Sequence, residues 1–458
     1  MAEAEENDDF ELPDLIPDLE LSRGPREADG TPSFFLYNPV AHKYYKLSWA
    51  EFECLSRFPG CGTAADLENA IRAETPIRID RQDIAEIVSF LHKAGLTTFA
   101  DQKQAGAGPN RNAAKPGRMT GMQGFVTKLV FARIPLFQPD RALEKVLPVL
   151  RPLLSGAFVK TGLVVFVIAA LLTARRHEEF LNSLAHVITP QGLGMTLGVF
   201  LVLKILHELA HALTAKKYGV KVAHMGVAII VFLPIFYTET TGAWSLESRR
   251  KRIYISAAGL LAELILAGFF LLIWLYSGDD LIRSIAFKAA LVSFVSSCVV
   301  NLNPLLRFDG YYILSDMLGV DNLQTRSVIF ARLALRRFFF GLNDPAPEDI
   351  PRQNRRFLTG FGFSLLLFRL FILALIGWGV YQIVFQPLGL VLALLLAVFL
   401  VVRPVMTEIG AILARRAEII KNRRAQASLT LLVALGIAFF IPFGNDIRLP
   451  AVLVPAEM

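Results

Sequence analysis

The distribution of apolar residues divides the chain into two regions. Residues 1 to about 120 mix polar and apolar positions as soluble proteins do, whereas most of the remainder alternates long apolar runs with short basic loops. About 20 apolar residues are needed for a helix to cross the bilayer core, so these runs predict membrane spans. The candidate spans are 155–174, 191–214, 253–276, 285–303, 357–384, 387–402 and 428–443. The pattern predicts a mainly α, polytopic α-helical membrane protein with about six or seven spans.

The polar N-terminal region begins with an acidic segment and continues with strand patterns. Residues 1–30 are acidic with little periodicity, so we expect a disordered tail. Residues 34–39 and 43–47 have the composition of two short strands joined by a turn. Ser48 and Glu51 then have the spacing of a capping box, which predicts the start of a helix.

The next elements complete a small domain. Residues 64–73 and 81–94 predict amphipathic helices, and residues 95–99 predict a short strand. This order fits a winged-helix (α+β) domain over residues 31–100, which we expect on the cytoplasmic side. Residues 101–118 are rich in Gly, Ala, Lys and Pro and are interpreted as a linker.

Two segments flank the membrane core. Residues 119–154 place basic residues between apolar ones, which favours an amphipathic segment on the membrane surface. The core is assigned to residues 155–445, and residues 446–458 to an extracytoplasmic tail or strand. In that tail, residues 447–456 have the pattern of one strand, which would need another protein to pair with.

Composition and charge support a membrane protein. The chain is 54% hydrophobic and 19% charged, with a net charge of +7. Its basic residues cluster beside the spans, in the loops 216–252, 307–356 and 403–424, which favours membrane topology and anionic lipid over nucleic acid. These loops are expected in the cytoplasm, with the N-terminus inside and the C-terminus outside. The three cysteines lack metal-ligand spacing and suggest no disulfide framework.

Three polar residues interrupt the second apolar run. His207, Glu208 and His211 form an H-E-x-x-H motif, and polar residues are costly within a membrane span. On a helix, the i, i+4 spacing places both imidazoles on one face, where they can bind one zinc ion while the glutamate reaches a water molecule. The alternative is a pair of helix histidines without a metal.

A two-histidine zinc site needs a third protein ligand. Asp309 is the obvious candidate, because it follows the fourth span at its cytoplasmic end. His207 lies about nine residues, or roughly 13 Å of helix, from the cytoplasmic end of its own span, so the two side chains can meet at similar depth. Pro304 and Gly310 break the helix between them and let the chain turn inward.

The combination of H-E-x-x-H with N-P-x-x-x-x-D-G about a hundred residues later resembles the site-2 proteases, which are intramembrane zinc metalloproteases. The resemblance extends to residues 236–244, 257–263, 307–312 and 314–316. These segments look like the bacterial branch of peptide zinc metalloproteases that carry an N-terminal PqqD-like domain. Residues 31–100 resemble such a leader-peptide-recognition domain in the motifs around 37–39, 45–48 and 91–96.

The resemblance implies a role for each matching residue. His207, His211 and Asp309 would bind Zn2+, Glu208 would be the general base and acid, and Asn303 would hold the substrate or its oxyanion. One position departs from the branch, which often has an acidic residue where this chain has Gly242. That departure concerns loop structure rather than catalysis.

Weaker candidates lie nearby. Glu263, His224 and Glu239 could stand behind the ligands or line a cavity, although a structural partner is an equal interpretation for Glu263 and a loop histidine is favoured for His224. Residues 222–234 are apolar but too short to span a membrane. We interpret them as a re-entrant or edge-strand element that could pair with a substrate strand.

The sequence therefore predicts a zinc metalloendopeptidase that hydrolyses a peptide bond in or beside a membrane-associated peptide or protein. The alternative is a non-proteolytic peptide-binding or export accessory protein built on a protease-like membrane scaffold. Expected partners are the lipid bilayer, the substrate, a leader peptide at the N-terminal domain, and an ABC exporter or membrane-fusion-type protein. The expected location is a bacterial inner membrane.

Overall fold

A computed structural model provides the structure of the chain, and it is mostly helical. The structure describes residues 9–24, 32–38, 43–98, 131–185, 187, 189–230, 233–342, 344–345, 352–383, 390–391, 394, 398, 402–420 and 422–440. The chain forms two compact units, residues 1–321 and residues 322–458.

The N-terminal part of the first unit consists of three strands followed by three helices. Strands β1, β2 and β3 form an antiparallel sheet in that order and span Glu20–Arg23, Phe34–Asn38 and Lys43–Leu47. Helices α1, α2 and α3 span Trp49–Arg57, Ala64–Glu74 and Arg81–Ala94. The predicted capping box at Ser48 and Glu51 is confirmed. The predicted closing strand is reduced to an isolated bridge between Thr97 and Leu15, with residue 99 outside the described residues.

The expectation of a disordered tail over residues 1–30 is wrong for residues 9–24. β1 pairs with β2, and backbone hydrogen bonds join the segment to the turn at Gly62 and to Leu96. The sequence hides this because acidic residues separate the apolar side chains that pack on the domain core, namely Phe10, Leu12, Leu15, Ile16 and Leu19. Their burial offsets the entropy of ordering the segment.

Five helices of the described residues are long and apolar enough to cross a membrane, and they span 156–175, 190–217, 249–276, 280–301 and 354–379. We label the elements of this region α4 (Asp140–Leu150), α5 (Gly156–Arg175), α6 (His177–Ala185), α7 (Pro190–Lys217), α8 (Arg249–Tyr276), α9 (Asp280–Val295) and α10 (Asp309–Leu318). Helix α8 is central and packs against α5, α7, α9 and α10. The fourth span ends in a π-helical segment, Ser296–Asn301, before the chain turns toward α10.

A second sheet lies beside these helices. Its strands β4 (Phe131–Phe137), β5 (Met225–Ile230) and β6 (Leu233–Thr238) are antiparallel in that order. The described part of residues 119–154 divides into strand β4 and helix α4, and its place on the membrane surface stays a prediction. The predicted re-entrant or edge-strand element at residues 222–234 contains β5. This strand is central in the sheet rather than at its edge, because it pairs with both β4 and β6, and β6 forms the edge.

The second unit contains α11 (Leu323–Phe340), α12 (Arg352–Ile383), α13 (Arg403–Leu413), α14 (Arg416–Ile420) and α15 (Arg423–Phe440). Helix α11 packs against α12 and α15, and Asp344 forms ion pairs with Arg336 and Arg415. Most of the predicted span 387–402 and all of the predicted strand 447–456 lie outside the described residues, as does the end of the span 428–443.

Candidate metal centre

Helix α7 brings two histidines together. His207 and His211 lie one turn apart on the face of α7 that packs inside the protein, and they are 4% and 7% exposed. Their Nε2 atoms are 3.1 Å apart. The two imidazoles therefore converge on one point inside the span.

Asp309 approaches the same point from the first turn of α10. Its Oδ2 lies 3.2 Å from His207 Nε2, and its Oδ1 lies 3.4 Å from His211 Nε2. One ligand atom from each of these three residues lies within 4.8 Å of the others. Both carboxylate oxygens of Asp309 therefore lie against imidazole nitrogens, which places three donor groups that bind metal ions together.

Two glycines allow this convergence. A Cβ at Gly259 of α8 would lie 2.4 Å from His207 Cε1 and 2.5 Å from His211 Nε2. A Cβ at Gly310 would lie 2.3 Å from the carbonyl oxygen of Leu302. Glycine is therefore required at both positions for steric reasons. Gly259 leaves room for both imidazoles, and Gly310 lets the start of α10 approach the preceding backbone.

Hydrogen bonding orients the histidines for a cation. His211 Nδ1 is 2.7 Å from the carbonyl oxygen of Ile255, which can only accept, so Nδ1 carries the proton and Nε2 presents a lone pair. His207 Nδ1 lies 3.4 Å from Glu263 Oε1 without hydrogen-bond geometry, and Asp309 Oδ2 is also buried without a hydrogen bond to the described residues. Two imidazole nitrogens and a carboxylate oxygen at these distances form a group that can hold one metal ion. The donor set of two histidines and one carboxylate fits zinc.

A buried polar cluster lies behind His207. Glu263 of α8 is fully buried and accepts hydrogen bonds from Lys204 Nζ at 2.7 Å and from Ser297 Oγ at 2.5 Å. Lys204 also contacts Ser296. Carboxylates behind histidine ligands commonly fix the ring orientation and raise ligand basicity. The cluster thus joins α7, α8 and the π-helical segment behind the candidate site.

A cavity of about 260 Å³ opens beside the histidines. Glu208, His211 and Asp309 are among the residues that line it. The other lining residues are Phe236, Tyr237, Thr238, Glu239, Thr240, Thr241, Ala243, Trp244, Arg252, Ile255, Ser256, Arg307, Phe308, Tyr312 and Asp316. The end of β6 is fixed against α7, because Thr238 Oγ1 donates to the Glu208 carbonyl oxygen at 3.1 Å. The end of the edge strand β6 therefore forms part of the cavity wall.

The remaining candidates occupy different places. Glu239 lines the cavity and accepts hydrogen bonds from Thr241. Asn303 and His224 are not among the lining residues; Asn303 Oδ1 accepts from the Leu305 amide at 2.9 Å, and the His224 carbonyl oxygen accepts from the Glu239 amide.

The departure at Gly242 has a structural counterpart. A Cβ there would lie 3.0 Å from Val220 Cγ1 and 3.1 Å from the Tyr44 hydroxyl of strand β3. The loop at Gly242 therefore touches the N-terminal domain, and Tyr44 occupies space that a side chain at 242 would need. Lys46 of the same strand forms an ion pair with Asp321.

Sequence reasoning missed four charged or polar residues around the site, namely Lys204, Ser297, Arg252 and Asp316. Lys204 offered a signal, because a lysine inside an apolar run is costly and needs a partner. Ser297 offered none, since a serine near the end of a span is unremarkable in composition.

These features describe a protein with helices long and apolar enough to span a membrane, and with a candidate metal site of two buried histidines and one carboxylate. Residues 195–298 match the family model described as Peptidase family M50, and this segment contains both histidines but not Asp309. The chain is 28% identical over 142 residues to the "Putative peptide zinc metalloprotease protein YydH" of Bacillus subtilis (strain 168). That alignment covers 31% of this chain and 54% of the relative, so the chain spans about half the length of the relative it matches. No solved structure matches the chain. The two matches support a metalloprotease and imply zinc.

Proposed function

We propose that this protein is a site-2-type intramembrane zinc metalloprotease that hydrolyses a peptide bond in or beside a membrane-associated peptide or protein. The observation that carries the proposal is the convergence of His207, His211 and Asp309 beside a cavity that His211, Asp309 and Glu208 line. A structural pair of histidines would not need a carboxylate at the same point, or a glutamate facing a cavity beside it.

Each residue has a separate task in peptide hydrolysis. His207, His211 and Asp309 would hold zinc, which supplies Lewis acidity toward a carbonyl oxygen and lowers the pKa of water when it is bound. Glu208 takes a proton from the attacking water and returns it to the leaving amine. The Asn303 amide NH2 would donate to the substrate carbonyl or its oxyanion.

The substrate is expected to enter as an extended strand. Strand β6 is the edge of its sheet, and its last residues line the cavity beside Glu208. A peptide that pairs with this edge would bring its backbone carbonyls past the candidate metal site. An extended backbone also exposes the scissile amide, which a helical membrane segment keeps hydrogen-bonded.

The N-terminal domain offers a second strand edge. β3 is at the edge of the first sheet, and Tyr45 joins it to α3 through a hydrogen bond to the Ala94 carbonyl oxygen and an edge-to-face contact with Phe90. We propose that a leader peptide pairs with β3 and that the resemblance to PqqD-like domains reflects this use. An ABC exporter or membrane-fusion-type protein is the proposed partner for the C-terminal segment. A bacterial inner membrane, with the N-terminus in the cytoplasm, is the proposed location.

Substitution of the general base tests the proteolytic function. Glu208→Gln should lower the rate of cleavage by about 10²- to 10⁴-fold, as expected for loss of a general base, and leave zinc content unchanged. The measurement is mass spectrometry of membrane peptides from cells that carry the wild type or the variant, with zinc quantified in the purified full chain. Glu144→Gln is the matched control, because Glu144 is exposed on α4.

Two results separate the alternatives. Identical peptide patterns in wild type and in a zinc-loaded Glu208→Gln variant would contradict the protease. Full cellular function in a variant that lacks both His207 and His211 would favour the accessory role, for which the edge position of β3 in its sheet is the supporting observation.

A further inference from the structure

Arg252 and Asp316 form a buried ion pair between α8 and α10. Arg252 Nη2 contacts Asp316 Oδ1, and the two side chains are only 5% and 9% exposed. The desolvation of a buried pair roughly cancels its attraction, so such pairs are weak sources of stability. We therefore consider what this pair orients rather than how much it adds to stability.

Asp316 shares a face of α10 with the third candidate ligand. Asp309 and Asp316 are seven residues apart, which is about two turns of helix. Asp309 faces His207 and His211 of α7, while Asp316 faces Arg252 of α8. Helix α10 already packs against α8, and this ion pair adds a polar contact two turns beyond Asp309 that restricts rotation of α10 and hence the direction of the Asp309 carboxylate.

Helix α8 is also the helix that orients the histidines. Arg252 lies one turn before Ile255, whose carbonyl oxygen binds His211 Nδ1, and further along the same helix Glu263 lies against His207. The Arg252 guanidinium also lies 5.1 Å from the centre of the Trp244 ring, in the turn that walls the cavity. Helix α8 therefore contacts both histidines, the cavity wall at Trp244 and the helix that carries Asp309.

We propose that Arg252 is a positioning residue of the metal centre, which pairs with Asp316 to set the rotation of α10 and so holds Asp309 at ligand distance from the two histidines. This inference rests on the proposed function and adds a residue that acts on the candidate ligands through α10, although it also lines the cavity. The pair acts through geometry, so its removal changes metal binding more than folding.

The main test removes both charges together. Arg252→Met with Asp316→Leu leaves no unpaired buried charge, and such replacements of buried pairs are often neutral for stability. In the purified full chain we expect about 10-fold weaker zinc binding, at the lower end of the effects seen for residues behind metal ligands. We also expect a shifted visible spectrum when Co²⁺ is bound in place of zinc, with an unchanged thermal unfolding temperature. The control is Arg336→Met with Glu408→Leu, which removes an ion pair between α11 and α13.

A second variant covers the case in which the double variant does not fold. Asp316→Glu keeps the charge and lengthens the side chain by one methylene, so a positioning role predicts a shifted Co²⁺ spectrum and weaker zinc binding. Wild-type zinc affinity and an unchanged spectrum in either folded variant would overturn the inference. If the wild type itself binds neither zinc nor Co²⁺, the proposed function fails, which is a distinguishable result.

Discussion

His211 donates a hydrogen bond from Nδ1 to the carbonyl oxygen of Ile255 at 2.7 Å, and this contact decides which nitrogen faces His207. Because a backbone carbonyl can only accept, the proton is placed on Nδ1 and the lone pair on Nε2. The bond crosses from α7 to α8, so the packing of two spans determines the tautomer of the ligand. The candidate site thus depends on close contact between α7 and α8.

That contact depends on Gly259. Gly259→Ala would bring a Cβ to within 2.4 Å of His207 and 2.5 Å of His211, so the imidazoles must move apart. We expect at least 10-fold weaker zinc binding, comparable to loss of a residue that orients a ligand. Equilibrium zinc competition with a chelator is the measurement. Gly194→Ala is the control, because an added Cβ on that residue of α7 meets no described atom within 4 Å; equal effects of the two changes would contradict this prediction.

The cluster behind His207 predicts a graded effect on zinc. Glu263→Gln removes the charge that faces His207 Nδ1 and should weaken zinc binding about 10- to 100-fold. Ser297→Ala, which removes one hydrogen bond to Glu263, should have a smaller effect in the same direction. Ser293→Ala is the matched control, because Ser293 is fully buried one turn earlier and its hydroxyl has no partner among the described residues. Weaker zinc binding in the control variant would show that packing, rather than the cluster, is responsible.

The parts that sequence predicted best depend on local spacing. The capping box at Ser48 and the strands at 34–38 and 43–47 follow from residues close together in the chain. The expectation that His207, His211 and Asp309 meet combined a helical period with a helix break at Pro304, and the structure brings these three residues together. Local patterns and chemical requirements were sufficient there.

Long-range contacts could not be predicted in the same way. The cluster of Lys204, Glu263 and Ser297 joins three spans, and no short pattern says which polar residues of different spans will meet. Strand β1 was missed because its partner β2 and the core beneath it determine its structure more than its own acidic composition. The sequence of β4 is typical of an amphipathic surface segment. Its strand conformation depends on hydrogen bonds to β5, which lies about ninety residues later in the chain.

The contact between Tyr44 and Gly242 predicts how a side chain in the loop would act. Gly242→Asp should push Tyr44 away, because even a Cβ would lie 3.1 Å from its hydroxyl. We expect faster amide hydrogen exchange in strand β3, which can be measured by mass spectrometry on the full chain. The double variant Gly242→Asp with Tyr44→Ala should relieve the clash. Gly278→Asp is the control, since an added Cβ there meets no described atom within 4 Å, and unchanged exchange in Gly242→Asp would refute the contact.

Asp140 predicts a pH-dependent contribution to stability. Its carboxylate binds Lys216 Nζ at 2.9 Å and the Val222 amide at 3.0 Å, which attaches α4 to the end of α7. Burial raises the pKa of Asp140, but Lys216 and the Val222 amide outweigh burial and hold this pKa below 3.8. The pKa of Asp140 is lower in the folded protein than in the unfolded protein. Its contribution to the free energy of unfolding is therefore fully present at pH values above the unfolded-state pKa, and is lost as the pH falls through the folded-state pKa.

Asp140→Asn should therefore lower the free energy of unfolding by about 1–2 kcal/mol at pH 7 and by less below about pH 4. Glu144→Gln is the control, since Glu144 also binds Lys216 at 2.9 Å but is 65% exposed and should contribute about 0–0.5 kcal/mol. Denaturation of the full chain in detergent at both pH values measures the difference, and equal losses in the two variants would contradict the assignment.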